Sequence, residues 1–283
     1  MDRSHRSPGH RFFQNLAPTL HIAHRGGSAL APENTLAAFQ LAVNRYRTDM
    51  LEIDIQQTLD GVLVVSHDAT LERCTNGEGP IASYSLSQIQ RLDAGYWFSP
   101  ENGESFPFRG QGVRIPTLSE ALSALPTLRF NIDLKTANAD QVSAFSRLIR
   151  EEGATNRICC GTESDDLAAI LFEALPDACH FYPRQALTHF VLAVRAGEPP
   201  ALDPRFAVLD MPFAYQEIPL IDAQLLEAAK RLGRWVNVWT VDEPARMREL
   251  IGLGVGGIMT DRPDLLRQAL DQPRPSTSTL GRP

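Results

Sequence analysis

The 283-residue sequence is nearly without lysine: Lys135 and Lys230 are the only two, although lysine and arginine together number 27. It has no basic run and a formal net charge of −7, so the electrostatic footprint of a nucleic-acid-binding protein is missing. No apolar run approaches the roughly 20 residues that span a bilayer, and no stable membrane insertion is expected. The amino-terminal stretch MDRSHRSPGHRFFQNLAP lacks the continuous apolar segment of a signal peptide. Cysteine is sparse and shows no C-x-x-C spacing: Cys74, Cys159, Cys160 and Cys179 fit buried thiols in a reducing compartment. No P-loop or dinucleotide glycine motif follows a strand, so nucleotide use is not indicated. These absences point to a soluble, cytoplasmic protein; its oligomeric state is not readable.

What the chain does have is alternation. Short β-prone runs occur at 20–24, 50–55, 129–134, 157–162, 179–182, 206–210, 234–240 and 256–260, and helical patterns follow them. Polar caps or proline mark the helix starts in PTLSEAL, DEPARMREL and DRPDLL. Eight strands alternating with eight helices predict an α/β fold, a TIM (β/α)8 barrel. The expected organisation is a flexible segment over 1–19, the barrel over 20–270 and a disordered tail over 271–283 rich in Pro, Ser and Thr. One stretch, about 56–116, is far longer than a barrel loop and reads as a small insertion between the second strand and second helix. Its Asp60-Gly61 predicts a two-residue hairpin turn that would pair Leu59 with Val62 and Asp54 with His67.

Catalytic groups of such barrels lie at the carboxyl ends of the strands. Strand one ends in His24-Arg25, strand two carries Glu52 and Asp54, and its hairpin returns His67-Asp68. Strand three carries Asp133 and Lys135, strand seven ends in Trp239-Thr240, and strand eight in Thr260-Asp261. Glu52 and Asp54, spaced i and i+2, face the same side of their strand. Either arginines pair with them as structural bridges, or a divalent cation relieves their repulsion with Asp133 as a third ligand. All-oxygen ligation favours Mg²⁺, Ca²⁺ or Mn²⁺ over zinc. Arg25 and Lys135 suit an anion. Gly26 and Gly27 allow close backbone approach and a sharp turn. His24 and His67 supply an acid–base pair. The set suggests phosphoryl chemistry.

The chain resembles the glycerophosphodiester phosphodiesterase family in HRGGSALAPENTLAAF, LEIDIQQTLDGVLVVSHDATLERCTNGEG, LDAGYWF, IPTLSEAL, NIDLK, VNVWTVD and GGIMTDRP, in that order. The resemblance implies a barrel with a small insertion, a divalent metal, and hydrolysis of a glycerophosphodiester to glycerol 3-phosphate and an alcohol. It places the catalytic histidines on His24 and His67, the phosphate-binding arginine on Arg25 and the metal carboxylates on Glu52 and Asp54. The family's usual E-x-K is here Asp133 with Lys135, and Trp239 falls on an aromatic that lines the glycerol side. Two other positions depart from the family. Cys160-Gly161-Thr162 stands where a serine-phenylalanine pair is common, and Gly256 where aspartate is. Glu33 is expected either to touch the active site from its loop or, the favoured reading, to complement the first helix dipole and steady Arg25. Asp261 is expected to cap the helix at Pro263. Tyr96, Trp97, Phe98, Phe106 and Phe108 are expected either to cradle a leaving alcohol or to form a satellite core. The alternatives are a phospholipase D-like or lysophospholipid-cleaving enzyme of the same barrel group, or a barrel that binds phosphoryl ligands without turnover.

Overall fold

The computed structural model describes residues 10–101, 103–135 and 138–272. Strand β1 (Leu20–His24) leads into helix α1 (Leu36–Tyr46), and β2 (Met50–Gln57) into its hairpin partner β3 (Leu63–Val65) and the short helix α2 (Leu86–Ile89). There follow α3 (Leu118–Ala124), β4 (Arg129–Leu134), α4 (Ala139–Glu151), β5 (Ile158–Gly161), α5 (Asp165–Ala174), β6 (Cys179–His180) and α6 (Arg184–Arg195). The chain continues through β7 (Val208–Pro212) and a small hairpin, β8 (Ala214–Tyr215) with β9 (Ile218–Pro219). It ends with α7 (Ala223–Arg231), β10 (Trp235–Trp239), α8 (Pro244–Leu253), β11 (Gly257–Thr260) and α9 (Pro263–Asp271).

Eight of these strands run parallel in the order β6-β5-β4-β2-β1-β11-β10-β7. The remaining seam is drawn together by a Phe181–Val208 bridge, with Tyr182 N donating to Val208 O and Ala207 N to His180 O, both at 2.8 Å. The result is the expected TIM barrel. Its helix starts follow the local chemistry: Thr117 and Glu120 form a reciprocal capping box on α3, and proline opens α8 and α9.

Side-chain alternation sorts each strand into two faces. On β2, Leu51, Ile53 and Ile55 pack outward with Phe130, Ile132 and Leu134 of β4 against the helices. Met50 belongs to the barrel interior with Leu20, Ile22, Cys159, Cys179, Phe181, Val208 and Met259. Glu52 and Asp54 share the face of Met50, as Asn131 and Asp133 share the opposite face from Phe130 and Ile132. The period of two therefore aims the acids inward.

Two expectations are corrected. Residues 10–19 are not a loose leader: Phe12 and Phe13 are buried in the barrel's lower core, and Phe13 packs on Trp235 with ring centroids 5.3 Å apart. The remaining terminal residues, 1–9 and 273–283, lie outside the described ones. The hairpin register is also shifted by one, with Ile55 opposite Val65 and Gln57 opposite Leu63. Thr58 N donates to Val62 O, leaving a three-residue loop with Gly61 at φ +80° and Leu59 at the tip, 67% exposed. A left-handed third loop residue is what glycine provides there, and it favours the longer turn. Asp54 consequently sits opposite Ser66, whose N–H its carbonyl accepts at 2.9 Å, and His67 lies one residue past that pair.

Candidate active site

The turn after β1 explains the His-Arg-Gly-Gly run. Arg25 has φ +52°, followed by Gly26 at +85° and Gly27 at +93°. A Cβ on Gly26 would lie 2.7 Å from the Phe39 ring of α1, and one on Gly27 2.7 Å from Pro263 of α9. The loop thus threads between two helices and leaves His24 and Arg25 at the mouth. His24 Nδ1 lies 2.6 Å from Asp261 Oδ1, and its Nε2 3.8 Å from Glu52 Oε2. Burial alone would lower this histidine's pKa, but Glu52 and Asp261 outweigh it and raise it above the ordinary value. Asp261, expected to cap α9, does not: Arg262 holds the cap position, and Asp261 fixes the tautomer of His24 instead.

Parallel register carries the acids round the barrel: His24 is level with Glu52 and Asn131, and Asp54 with Asp133 and Gly161. Cations stitch the acids together. Arg25 donates its backbone N–H to Glu52 Oε2 at 3.1 Å, while its Nε stands 3.3 Å from Asp54 Oδ2. Lys135 Nζ lies 3.2 Å from Asp54 Oδ1 and donates to Asp133 Oδ2 at 2.6 Å. Asn34 adds a hydrogen bond to Asp54 Oδ2 at 3.1 Å. Burial and the neighbouring Asp54 push the Glu52 carboxyl well above the ordinary carboxylate range. Burial also raises Asp133, partly offset by Lys135; the attraction of Asp133 and Asp54 raises Lys135 despite its own burial. Beneath them Asp210 accepts from Asn131 Nδ2 at 2.6 Å and Asn237 Nδ2 at 2.7 Å, with burial lifting it to about 6.

The second histidine arrives from the insertion. His67 Nδ1 lies 2.7 Å from Asp68 Oδ1. Glu33, reaching from the β1–α1 loop, accepts from Arg25 Nη1 at 3.0 Å, as the steadying role required. The aromatics of the insertion do not form its satellite core. Its core is largely aliphatic, built on Val64, Leu71, Ile81, Ile89, Ala94 and Ile115, whereas Tyr96, Trp97 and Phe106 surround the Arg109 guanidinium. Phe98 instead packs edge-on against Phe108.

Trp239 ends β10 at the mouth, 41% exposed. Both departures from the family pattern have a steric reason. A Cβ on Gly161 would lie 2.4 Å from the Phe181 ring, so the aromatic that follows β6 fills the space beside β5. A Cβ on Gly256 would lie 2.5 Å from the Trp235 indole.

The residues present fit an oxygen-ligated divalent cation. Asp133 Oδ1 is buried with no hydrogen-bond partner, and Glu52 and Asp54 form a carboxylate pair whose mutual repulsion is incompletely met. Among the described residues no three acidic, histidine or cysteine side chains enclose one point as they stand; Arg25 and Lys135 pair with Asp54 instead.

Residues 24–265 match the model of the glycerophosphoryl diester phosphodiesterase family. The chain belongs to this family. It is 36% identical over 253 residues to a glycerophosphodiester phosphodiesterase of Caldanaerobacter subterraneus subsp. tengcongensis, covering 88% of this chain and 96% of the relative. Among solved structures it is similar to the glycerophosphodiester phosphodiesterase of Agrobacterium tumefaciens, with TM-score 0.71, 28% identity, and 88% and 99% of the two chains covered. It is equally similar in fold, at TM-score 0.71 and 25% identity over 89% and 96%, to an Oleispira antarctica phosphodiesterase in complex with the product sn-glycerol-3-phosphate. The protein is thus an enzyme, a phosphodiesterase.

In this phosphodiesterase His24, Arg25, Glu52, Asp54, Asp133 and Lys135 form one connected cluster. His67 joins it through Asp68, Arg73, Glu33 and Arg25, and Trp239 stands at the mouth outside the polar network. Sequence reasoning passed over Asp261 as an orienting residue and Arg73 altogether. Asp261 was detectable as an acid ending the last strand; Arg73 has no signal short of its folded partners. Among the described residues no helix is long and apolar enough to cross a membrane.

Proposed function

We propose that the enzyme hydrolyses glycerophosphodiesters to glycerol 3-phosphate and an alcohol by acid–base catalysis at this mouth, in the cytoplasm. One observation carries the reading: His24 and His67 each lean their Nδ1 on a carboxylate, Asp261 and Asp68. An ionised carboxylate only accepts, so Nδ1 is the donor and each ring keeps Nε2 for chemistry. The product in the Oleispira relative is consistent with the same bond being cut here.

In the mechanism Arg25 and Lys135 hold the phosphate oxygens, and Trp239 flanks the glycerol. His24 Nε2 takes the proton from the attacking oxygen, either the glycerol 2-hydroxyl or a water, as the new O–P bond forms. The bond from phosphorus to the leaving oxygen breaks, and His67 Nε2 gives a proton to that oxygen. Where the 2-hydroxyl attacked, a water then opens the resulting cyclic phosphate to glycerol 3-phosphate, His67 taking the water's proton and His24 returning one to the 2-oxygen as its bond to phosphorus breaks. Glu52, Asp54 and Asp133 are the residues that would hold a divalent cation, Mg²⁺, Ca²⁺ or Mn²⁺, which supplies positive charge to the phosphate.

Leaving-group dependence tests the assignment. An alkoxide is expelled poorly without a proton, whereas nitrophenolate leaves unaided. His67→Ala should lose about 10²–10⁴-fold on glycerophosphocholine and recover most of this on a nitrophenyl diester of glycerol phosphate. His24→Ala should stay impaired on both. Recovery by His24→Ala instead would exchange the roles, and equal impairment of both variants on both substrates would remove them.

A further inference from the structure

Arg73 lies in the insertion, six residues beyond His67, and its side chain is 47% exposed. The mechanism above gives it no task. Its guanidinium nevertheless grips two acids from two segments. Nε donates to Asp68 Oδ2 at 2.5 Å, while Nη1 and Nη2 donate to the two oxygens of Glu33 at 2.6 and 2.8 Å. Asp68 in turn receives His67 Nδ1–H, and Glu33 receives Arg25 Nη1. One planar fork therefore spans the two acids that meet His67 and Arg25 on this side of the mouth. A lysine could not engage both edges at once.

We infer that Arg73 is the positioning residue of the acid step, setting the tautomer and placement of His67 relative to the phosphate-binding Arg25. This rests on the assignment of His67 as the acid. Hydrogen bonding from Arg73, aided by His67, holds the Asp68 carboxyl down at about 2, so Asp68 is an acceptor throughout the working range. The proton that His67 gives up is then always the one on Nε2. A mere staple for the insertion is a weaker account. That segment has its own aliphatic core and is joined to β2 by backbone pairing, so it does not depend on Arg73 to stay in place.

The experiment compares Arg73→Gln, Arg73→Lys and His67→Ala on glycerophosphocholine and on the nitrophenyl diester, in the full chain. Arg73→Gln should lower kcat on the alkyl diester by about 10²-fold, the scale of a misplaced catalytic group, with KM little changed and the nitrophenyl rate largely kept. Arg73→Lys should fall between it and wild type. In ¹⁵N-labelled protein the His67 ring should pass from a single Nδ1–H tautomer to a mixture in Arg73→Gln. Equal loss on both substrates, no loss on either, or an unchanged tautomer would overturn the inference while the leaving-group dependence of His67→Ala stands. If His67→Ala itself shows no such dependence, the acid assignment fails and this inference with it.

Discussion

On β2 the inward face reads Met50, Glu52, Asp54, so a single strand passes from the apolar floor of the barrel to its charged mouth. The floor is closed by Phe12 and Phe13 against Leu20, Ile22 and Val208 and is held mainly by burial, with Arg129 donating to Phe12 O and Gln14 O. The mouth cannot do so, because charges removed from water are costly unless paired. Its acids are met by Arg25, Lys135 and Arg73, and both histidines, His24 and His67, lean on carboxylates. Between them lies a neutral polar layer in which Asn131 and Asn237 clasp Asp210. The comparison separates residues kept for stability from residues kept for chemistry, and substitutions can test the division.

The largest effect is expected at the mouth. His24→Ala should reduce kcat/KM by about 10²–10⁴-fold on any diester, with the thermal midpoint close to that of wild type. A large fall in midpoint would make His24 part of the scaffold. At the floor the balance should reverse. Phe13→Ala should cost about 3–5 kcal/mol in denaturant unfolding, while the folded fraction keeps its kcat. A selective loss of kcat with unchanged stability would erase the distinction.

A histidine without an acid partner sharpens the contrast. Burial depresses His180 to about 4 despite its hydrogen bond to Leu175 O, whereas His24 among its acids is raised. The unfolded chain binds a proton near 6.5 that folded His180 refuses. Stability from this site is therefore intact above about pH 6.5 and declines as pH falls toward 4, by about 3 kcal/mol. His180→Gln should remove that slope from the pH dependence of unfolding; an unchanged slope would assign it elsewhere. The smallest effect concerns the ring beside β5. Gly161→Ala should cost about 1–3 kcal/mol through overpacking against Phe181, and Phe181→Leu in the same chain should return part of it. Additive costs in the double variant would mean the two residues do not meet.

Much of this was legible before folding. The eight strands follow from alternating apolar periodicity, and the inward aim of Glu52 and Asp54 from their spacing, because a strand's two faces depend on parity alone. The hairpin register was not legible, since Asp60-Gly61 serves a two-residue and a three-residue turn equally well and only the flanking pairing selects one. Phe12 and Phe13 looked like part of a polar leader because two residues carry no period; a barrel bottom that needs closing is what makes them core.

Local sequence determined the elements, their faces and the chemical types gathered at the strand ends, because backbone sterics and side-chain alternation act over a few residues. Tertiary structure alone decided which partners those groups have. Asp261 meets His24 across 237 positions of chain, and Arg73 meets Glu33 across 40. Such pairings arise only when the closing barrel brings distant loops together, and the electrostatic cost of leaving buried charge unmet then selects them.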